Sequence, residues 1–480
     1  MQNIASVRNY KIVLASFLSY LPSRILVVLN SLIIVPILAY FLSTNEMSIF
    51  QISIGILNFV CTCSTDWIAK SVLRFCNKYK QENRLDEFYS NIAIIEFVTL
   101  LAVFVSYFIF KDFVNAKFLI SNKIFFLTLV LVVPCGIRQF LYQLLRIFKK
   151  PYLYAISIIV YQLALVMLFF AFSNIIPKSS AILIAMTFSV AFIDVVLLCK
   201  LNLKYNLKLR YFNKKFIKNI LIYAIPLVFT NICIWQILHL GKFILQYNKE
   251  FLNTAIAGTA WFFVTNALTP LFSLILFAVF PIIIKRFEKK YQLKELMTST
   301  LRLYIAMFLP FVCVFCFFSF DIAKIAFKQE YYYLGLLFPF CALTIFLHEF
   351  MKLMNVKYHL KNRTYVETAI SLMVAVVCVL LNLVLIKYLN ILGVGLAMLA
   401  SITLLFILNS FVNFNNLNFI IPPKIFKTLG MSIFINVLAF AIIYLLFFKF
   451  QNNYVIVCKI IAYCLIYFAL TLKFKKYVLQ

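Results

Sequence analysis

Glycine is scarce in this chain, with eight residues in 480. No G-x-x-x-x-G-K-[ST] loop is present, so no nucleotide-hydrolysing module is built in. Histidine is scarcer: His239, His348 and His359 are all there is, at spacings that pair none of them with a carboxylate. His348-Glu349-Phe-Met-Lys352 leaves the zinc-protease pattern at its fifth position, where Lys replaces the second His, and reads as an interfacial cluster. Asp-x-Asp, the usual signature of metal-dependent glycosyl transfer, is absent. The 12 Cys are scattered mostly through apolar runs, and the closest pair, Cys61-x-Cys63, lacks a nearby His. They are expected to be free thiols acting as small hydrophobes. Neither a metal nor a cofactor is expected, and catalysis is disfavoured.

What the chain has instead is apolar surface: 65% hydrophobic residues, 55 Phe, a mean hydropathy of +1.00 and only 12% charged residues. No globular domain buries that much, so the chain belongs in a bilayer. Gln2–Tyr10 has no signal-peptide pattern, and the apolar stretch Ile12–Leu42 is too long for one. A hydrocarbon core about 30 Å thick needs about 20 helical residues per crossing. Cutting at the polar breaks predicts fourteen spans, near 17–42, 49–75, 91–110, 124–146, 152–173, 179–199, 219–246, 253–284, 302–320, 332–354, 365–386, 391–414, 425–448 and 454–472. The expected fold is an all-α integral membrane protein. Its longest outer loop, 110–123, is too short for a polymerase or glycosyltransferase site.

The charge follows these spans. Lys+Arg number 45 against 15 Asp+Glu, a net +30 that in a soluble protein would suggest nucleic acid. With the N-terminus in the cytoplasm, 32 of the 45 cations fall in cytoplasmic segments, 11 fall outside, and Arg24 and Arg138 lie within spans. This alternation is the positive-inside bias, with both termini cytoplasmic, and it accounts for the charge without nucleic acid. The longest basic segment separates an N-terminal six-helix lobe (1–200) from a second (219–414), through a linker at 201–218. Residues 415–480 supply two further helices outside the repeat. A shift of 204 residues lays Pro22 on Pro226 and Glu46 on Glu250, a modest sign of pseudo-symmetric duplication.

Polar residues recur at helical spacing on the leading spans of each lobe. Span 1 carries Ser16, Tyr20, Ser23, Arg24, Asn30 and Ser31; span 2 carries Gln51, Asn58, Thr62, Thr65 and Asp66. Span 7 carries Asn231, Trp235, His239 and Lys242, and span 8 Thr259, Asn266 and Ser273. Such stripes do not face lipid comfortably, and pointing them at one another makes a central water-accessible cavity. Plain interhelical hydrogen bonding is the alternative for the uncharged members. Candidate cavity residues are Arg24, Asn30, Asn58, Arg138, Asn231, Lys242 and Asn266. Candidate ion-coupling groups, to an H⁺ or Na⁺ gradient, are Asp66, Lys70 and His239, with an Asp66–Lys70 structural pair at i+4 as the competing reading. Glu96 and Asp194 fall near span ends and read as solvated. Pro22, Pro36, Pro226, Pro270 and Pro281 interrupt helical hydrogen bonding, either as hinges or as static kinks.

Several stretches resemble the Wzx-type polysaccharide flippases. These are Ser31-Leu-Ile-Ile-Val-Pro36-Ile-Leu-Ala-Tyr-Phe-Leu-Ser43 with Ile49-Phe50-Gln51, and Asp66-Trp-Ile-Ala-Lys-Ser-Val-Leu-Arg74-Phe75. Tyr223-Ala-Ile-Pro226 with His239-Leu-Gly-Lys242-Phe-Ile-Leu resembles the start of that family's second half. Leu381-Asn382-Leu-Val-Leu-Ile386 with Gly393-Val-Gly395-Leu-Ala397 and Ser401 resembles its span 11–12 pattern. The chain departs from the family at Gly241-Lys242, where members often carry Asp-Arg, and at Lys387, where Pro is common. The resemblance implies the multidrug/oligosaccharidyl-lipid/polysaccharide (MOP) exporter superfamily: two six-helix lobes around a central cavity, moving lipid-linked cargo by alternating access. It implies a lipid-linked oligosaccharide as substrate, membrane lipids and polysaccharide polymerase or chain-length machinery as partners, and a bacterial inner membrane as the location. A multidrug antiporter and a membrane glycan polymerase are the rival readings; buried cations disfavour cationic drugs. The charge pattern predicts that a topology reporter fused after Asn206 reads as cytoplasmic and one fused after Asn115 as external; the reverse pair of signals would overturn the orientation.

Overall fold

A computed structural model describes residues 24–25, 27–29, 32–148, 150–201, 211–288, 294–360, 364–417, 423–447 and 453–474. Among the described residues the regular structure is helical throughout. In chain order the helices are α1 (Val27–Phe41, described at 27–29 and 32–41), α2 (Thr44–Ser64), α3 (Asp66–Gln81), α4 (Leu85–Phe118), α5 (Asn122–Ile147), α6 (Pro151–Ser173), α7 (Lys178–Leu201), α8 (Lys214–Tyr247), α9 (Phe251–Glu288), α10 (Lys294–Phe317), α11 (Ser319–Ala326), α12 (Leu334–Leu360), α13 (Thr364–Leu389), α14 (Ile391–Leu417), α15 (Pro423–Phe447) and α16 (Asn453–Lys473). Thirteen of these are long and apolar enough to cross a membrane. The fourteenth expected span, 17–42, lies partly outside the described residues.

One expected span divides. Residues 49–75 form two helices, α2 and α3, meeting at Thr65. Three back-bonds to i−4 cluster at this junction: Ser64 Oγ donates to the Val60 carbonyl (2.6 Å), Thr65 Oγ1 to Cys61 (3.3 Å) and Trp67 Nε1 to Cys63 (3.1 Å). Such bonds bend helices, and here the backbone ladder still crosses the bend, with the Thr65 N–H bonding the Cys61 carbonyl at 2.9 Å. The α2 start is fixed by a capping box, with Ser43 and Glu46 exchanging backbone and side-chain bonds. Pro226 and Pro270, by contrast, are carried within the continuous helices α8 and α9.

The chain forms two compact units: residues 37–258 with 371–379, and residues 1–36, 259–370 and 380–480. The boundaries read at 200, 219 and 414 fall inside these units. The first unit includes α8 because its entry is pinned to α4. Asn91 Nδ2 donates to the Tyr211 carbonyl and Asn91 Oδ1 accepts from the Asn213 N–H, both at 2.8 Å, while Asn213 Nδ2 donates to Glu87 Oε1 at 2.8 Å. Asn213 also caps α8 by accepting from the Phe216 N–H. Beneath these bonds Trp67, Val72, Phe88, Ile92, Leu144, Phe216 and Ile220 form one apolar cluster.

In the second unit α15 and α16 dock on α10. Phe317 stacks on Phe440 at 4.4 Å, Tyr467 Oη donates to the Ala306 carbonyl at 2.9 Å, and Arg302 Nε donates to Thr428 Oγ1 at 2.8 Å. Tyr463 donates to Asn436 inside the same contact. Burial of Tyr and Arg here is possible because each polar end finds an acceptor, as hydrocarbon requires.

The α13–α14 corner turns through Asn390, at φ 49°. A Cβ at Gly393 would overlap the Leu385 carbonyl, whereas one at Gly395 would meet only the Phe340 and Leu337 side chains at 3.0–3.1 Å. Backbone cannot yield as side chains can, so Gly393→Ala is expected to destabilise by about 1–3 kcal/mol and Gly395→Ala by less. Thermal unfolding of the purified variants in detergent checks the order.

Candidate functional site

The polar stripe of α8 lies in the first unit and bonds the backbone of α2. Lys242 Nζ donates to the Gln51 carbonyl at 2.7 Å, and Trp235 Nε1 donates to the Gly55 carbonyl at 3.0 Å. Lys70 Nζ, on α3, donates to Asn231 Oδ1 at 3.0 Å. Gly55 and Gly258 allow this closeness: a Cβ at Gly55 would lie 2.8 Å from the Phe243 ring, and one at Gly258 2.6 Å from Gln51 Cβ. Lys242 is only 5% exposed, and His239, also buried, stacks loosely on Trp235 at 5.6 Å between ring centres. Among the described residues no carboxylate lies within ion-pair distance of Lys242. Its charge rests on one carbonyl and the Phe243 ring, 6.0 Å away.

The other candidates scatter. Asn58 is exposed on α2, and Asn30 lies outside the described residues. Arg24 is partly buried. Asn266, in the second unit, turns back on its own helix, donating to the Phe262 carbonyl at 2.9 Å. Of the competing readings for Asp66 and Lys70, the i+4 pair is not among the ion pairs of the described residues: Asp66 accepts from Thr62 Oγ1 at 3.4 Å, and Lys70 Nζ donates to Asn231.

Arg138 belongs to a second polar cluster, between α2, α4, α5, α6 and α7. Its guanidinium lies 4.8 Å from the Tyr161 ring centre, and Nη2 contacts Cys135 Sγ at 3.7 Å. Glu96 Oε1 and Thr65 Cγ2 press against Gly136, at 3.0 and 2.6 Å from where a Cβ would stand. Asp194 approaches from α7, within electrostatic reach of both Arg138 and Glu96. The reading of Glu96 and Asp194 as solvated is therefore corrected. Asp194 is 4% exposed and Glu96 half-buried, because neighbouring helices cover them although each lies only about two to three turns from a helix end. Sequence position measured their depth along the axis but not which face they occupied. For Glu96, the small residue against it (Gly136) was the available signal.

In the second unit the His348–Lys352 stretch is not simply interfacial. Glu349 is 3% exposed and accepts from Lys352 Nζ at 2.6 Å. One turn on, Asn355 Nδ2 donates to Glu367 Oε1 at 3.0 Å, both buried, a pair that sequence reasoning missed because it bridges α12 and α13. Among the described residues no group of three His, Cys, Asp or Glu can hold a metal ion.

Long apolar helices with cations and polar stripes held inside them define a multi-pass membrane protein, and its fold is that of the MOP-superfamily transporters. The lipid II flippase MurJ in an inward closed conformation superposes with a TM-score of 0.69 at 15% identity, covering 97% of this chain and 100% of MurJ. The MATE multidrug transporter DinF-BH gives 0.62 at 13% identity, covering 85% and 96%. An inward-facing MATE family multidrug resistance transporter gives 0.56 at 14% identity, covering 80% and 92%. No curated protein matches the chain. The chain belongs to the polysaccharide biosynthesis protein family, whose model matches residues 13–285.

A charge buried without a counter-ion destabilises the state that buries it. Lys242→Met is therefore expected to raise stability by roughly 1–3 kcal/mol. Thermal unfolding of the purified variant in detergent checks this, and a variant less stable than wild type would assign Lys242 a structural role.

Proposed function

We propose that this protein flips an undecaprenyl-pyrophosphate-linked oligosaccharide repeat unit from the cytoplasmic to the outer leaflet of a bacterial inner membrane. The product would feed O-antigen, capsule or another surface polysaccharide, through a polymerase and its chain-length machinery. The supporting observation is the family membership of a chain that keeps cations inside its membrane helices without carboxylate pairing: Lys242 rests on a carbonyl, and Arg138 on a ring and a thiol.

The physical problem is to carry a dianionic pyrophosphate and a hydrated glycan past hydrocarbon while the prenyl tail stays in lipid. A cation held in the membrane attracts phosphate through charge-assisted hydrogen bonds. Arg24 and Arg138 are assigned this role on the cytoplasmic side, and Lys242 toward the outer end of α8. Gln, Asn, Ser and Thr on the striped helices substitute for glycan hydration. The protein is read as a carrier and not an enzyme, working by alternating access.

A deletion strain is expected to hold the lipid-linked repeat at the inner leaflet. Single repeats displayed outside would instead indicate a polymerase, and hypersensitivity to cationic drugs with normal glycan would indicate an antiporter. Arg24→Ala removes a charge-assisted contact worth roughly 1.5–3 kcal/mol, so outer-leaflet glycan should fall by about tenfold or more, with Arg24→Lys partly restoring it. Normal export with Ala would remove Arg24 from the mechanism.

A further inference from the structure

Many exposed rings of this chain stand among other apolar side chains, as on α4, where Phe97, Val98, Leu101, Phe108 and Phe113 are exposed together. Lipid tails alone satisfy such a face. The edge shared by α2 and α8 in the first unit is different. Phe59 is 37% exposed, and its ring centre lies 4.8 Å from that of Trp235, the two planes inclined at 51°. Next to it the Asn58 side chain is exposed, about 21 Å along α2 from Thr44 at 1.5 Å per residue, in a helix long and apolar enough to cross a membrane. Hydrocarbon offers an exposed amide no hydrogen bond. One turn from Trp235 on α8, Asn231 Oδ1 accepts from Lys70 Nζ at 3.0 Å, while the Asn231 Nδ2 donor has no acceptor.

The ring pair is held in place before any ligand arrives. Trp235 Nε1 donates to the Gly55 carbonyl at 3.0 Å, and the indole is backed by Phe243 at 5.5 Å and His239 at 5.6 Å between ring centres. A Cβ at Gly55 would stand 2.8 Å from the Phe243 ring, so glycine is what lets this backing close. Rings fixed in this way lose little freedom on binding. Together they make an aromatic surface with one amide beside it and a second amide and a lysine one turn along α8. A prenyl or fatty chain would use the rings and leave both amides unbonded. A cationic aromatic drug would use the rings and meet the Lys70 ammonium. A pyranose fits the whole set: its ring C–H groups form an apolar face for the aromatic π-systems, and its rim hydroxyls both donate and accept.

We infer that Phe59 and Trp235, with the Asn58 and Asn231 amides, form a sugar-stacking subsite that takes one pyranose ring of a glycan within the first unit. This rests on the flippase reading for why a glycan enters the membrane interior, and it names the part of the cargo that these residues read. The C–H face of the sugar lies against the ring pair. A rim hydroxyl accepts from Asn231 Nδ2, and another exchanges donor and acceptor bonds with Asn58. Stacking reads the shape of the ring, so the subsite accepts pyranoses that differ in the orientation of single hydroxyls. It is also independent of the cations: pyrophosphate is held by charge and the sugar by rings and amides, so either contact can be removed without the other.

Tryptophan emission tests the subsite directly, because the chain has three Trp: Trp67, Trp235 and Trp261. The purified full-length protein is titrated in lauryldimethylamine oxide, a detergent without a sugar headgroup. Farnesyl pyrophosphates bearing glucose, galactose or N-acetylglucosamine should change the emission saturably, and Trp235→Phe should remove that change. Farnesyl pyrophosphate without a sugar should leave the emission unaltered. Phe59→Leu should weaken binding of the sugar-bearing probes by about fivefold, Phe59→Tyr should retain it, and Asn58→Leu should weaken it by about fivefold, each with the thermal unfolding of wild type. An equal response to the sugar-free probe would place the prenyl pyrophosphate on the rings and overturn the proposal. No response to any of the three sugars, or wild-type binding by Phe59→Leu, overturns it as well. In cells Phe59→Leu should lower outer-leaflet glycan by about fivefold and Phe59→Tyr should preserve it; equal export by the two variants overturns a role in transport. If the sugar response holds while deleting the protein leaves outer-leaflet glycan unchanged, the flippase reading fails and the sugar site stands.

Discussion

A polar group inside hydrocarbon has no water to fall back on, so each must find its partner within the protein. Much of this structure follows from that constraint. Gln51 and Gly55 lend backbone carbonyls to Lys242 and Trp235, and Asn213 and Asn91 trade bonds where α8 begins. Arg302 finds Thr428, and Tyr467 finds the Ala306 carbonyl. Apolar packing between helices adds little discrimination in lipid, since tails are as apolar as Leu. Polar bonds and close approach at Gly55, Gly136, Gly258 and Gly393 decide which helices touch.

The same constraint separates structure from function. Between α10, α15 and α16 the Tyr467, Tyr463 and Arg302 bonds explain the packing. Lys242 and Asp194 differ, one a buried cation without a carboxylate and the other a buried carboxylate without a donor. They lie apart along the chain and are opposite in sign, a lysine on α8 and an aspartate on α7. A carrier that changes conformation must leave some interactions unsatisfied in each state, because a state with every bond satisfied would not give way to the next.

Among the described residues span positions were readable to within about eight residues, because hydropathy over about 20 residues is a length requirement imposed by lipid. The bend at Thr65 was missed because mean hydropathy runs through it; the cluster of Ser, Thr and Trp back-bonds that marks it depends on side-chain geometry. Of the stripe read on α8, Lys242 and Trp235 bond backbone carbonyls of α2 rather than its striped side chains. Spacing left Asp66 and Lys70 open between an i+4 pair and separate roles, and it could not show that Lys70 bonds a residue 161 positions away. Glu96 and Asp194 were placed correctly along their helices and wrongly in their surroundings.

By itself, the sequence determined the medium, the helical class, the alternation of charge and the kinds of chemistry available, all of which depend on composition and local period. Tertiary structure alone decided which polar groups are shared, which are covered and which are left waiting. Burial and pairing are properties of neighbours from other helices, brought there by packing that no single segment encodes. That is why Asp194 looked like a solvated end residue in the chain and is an unpartnered acid in the fold.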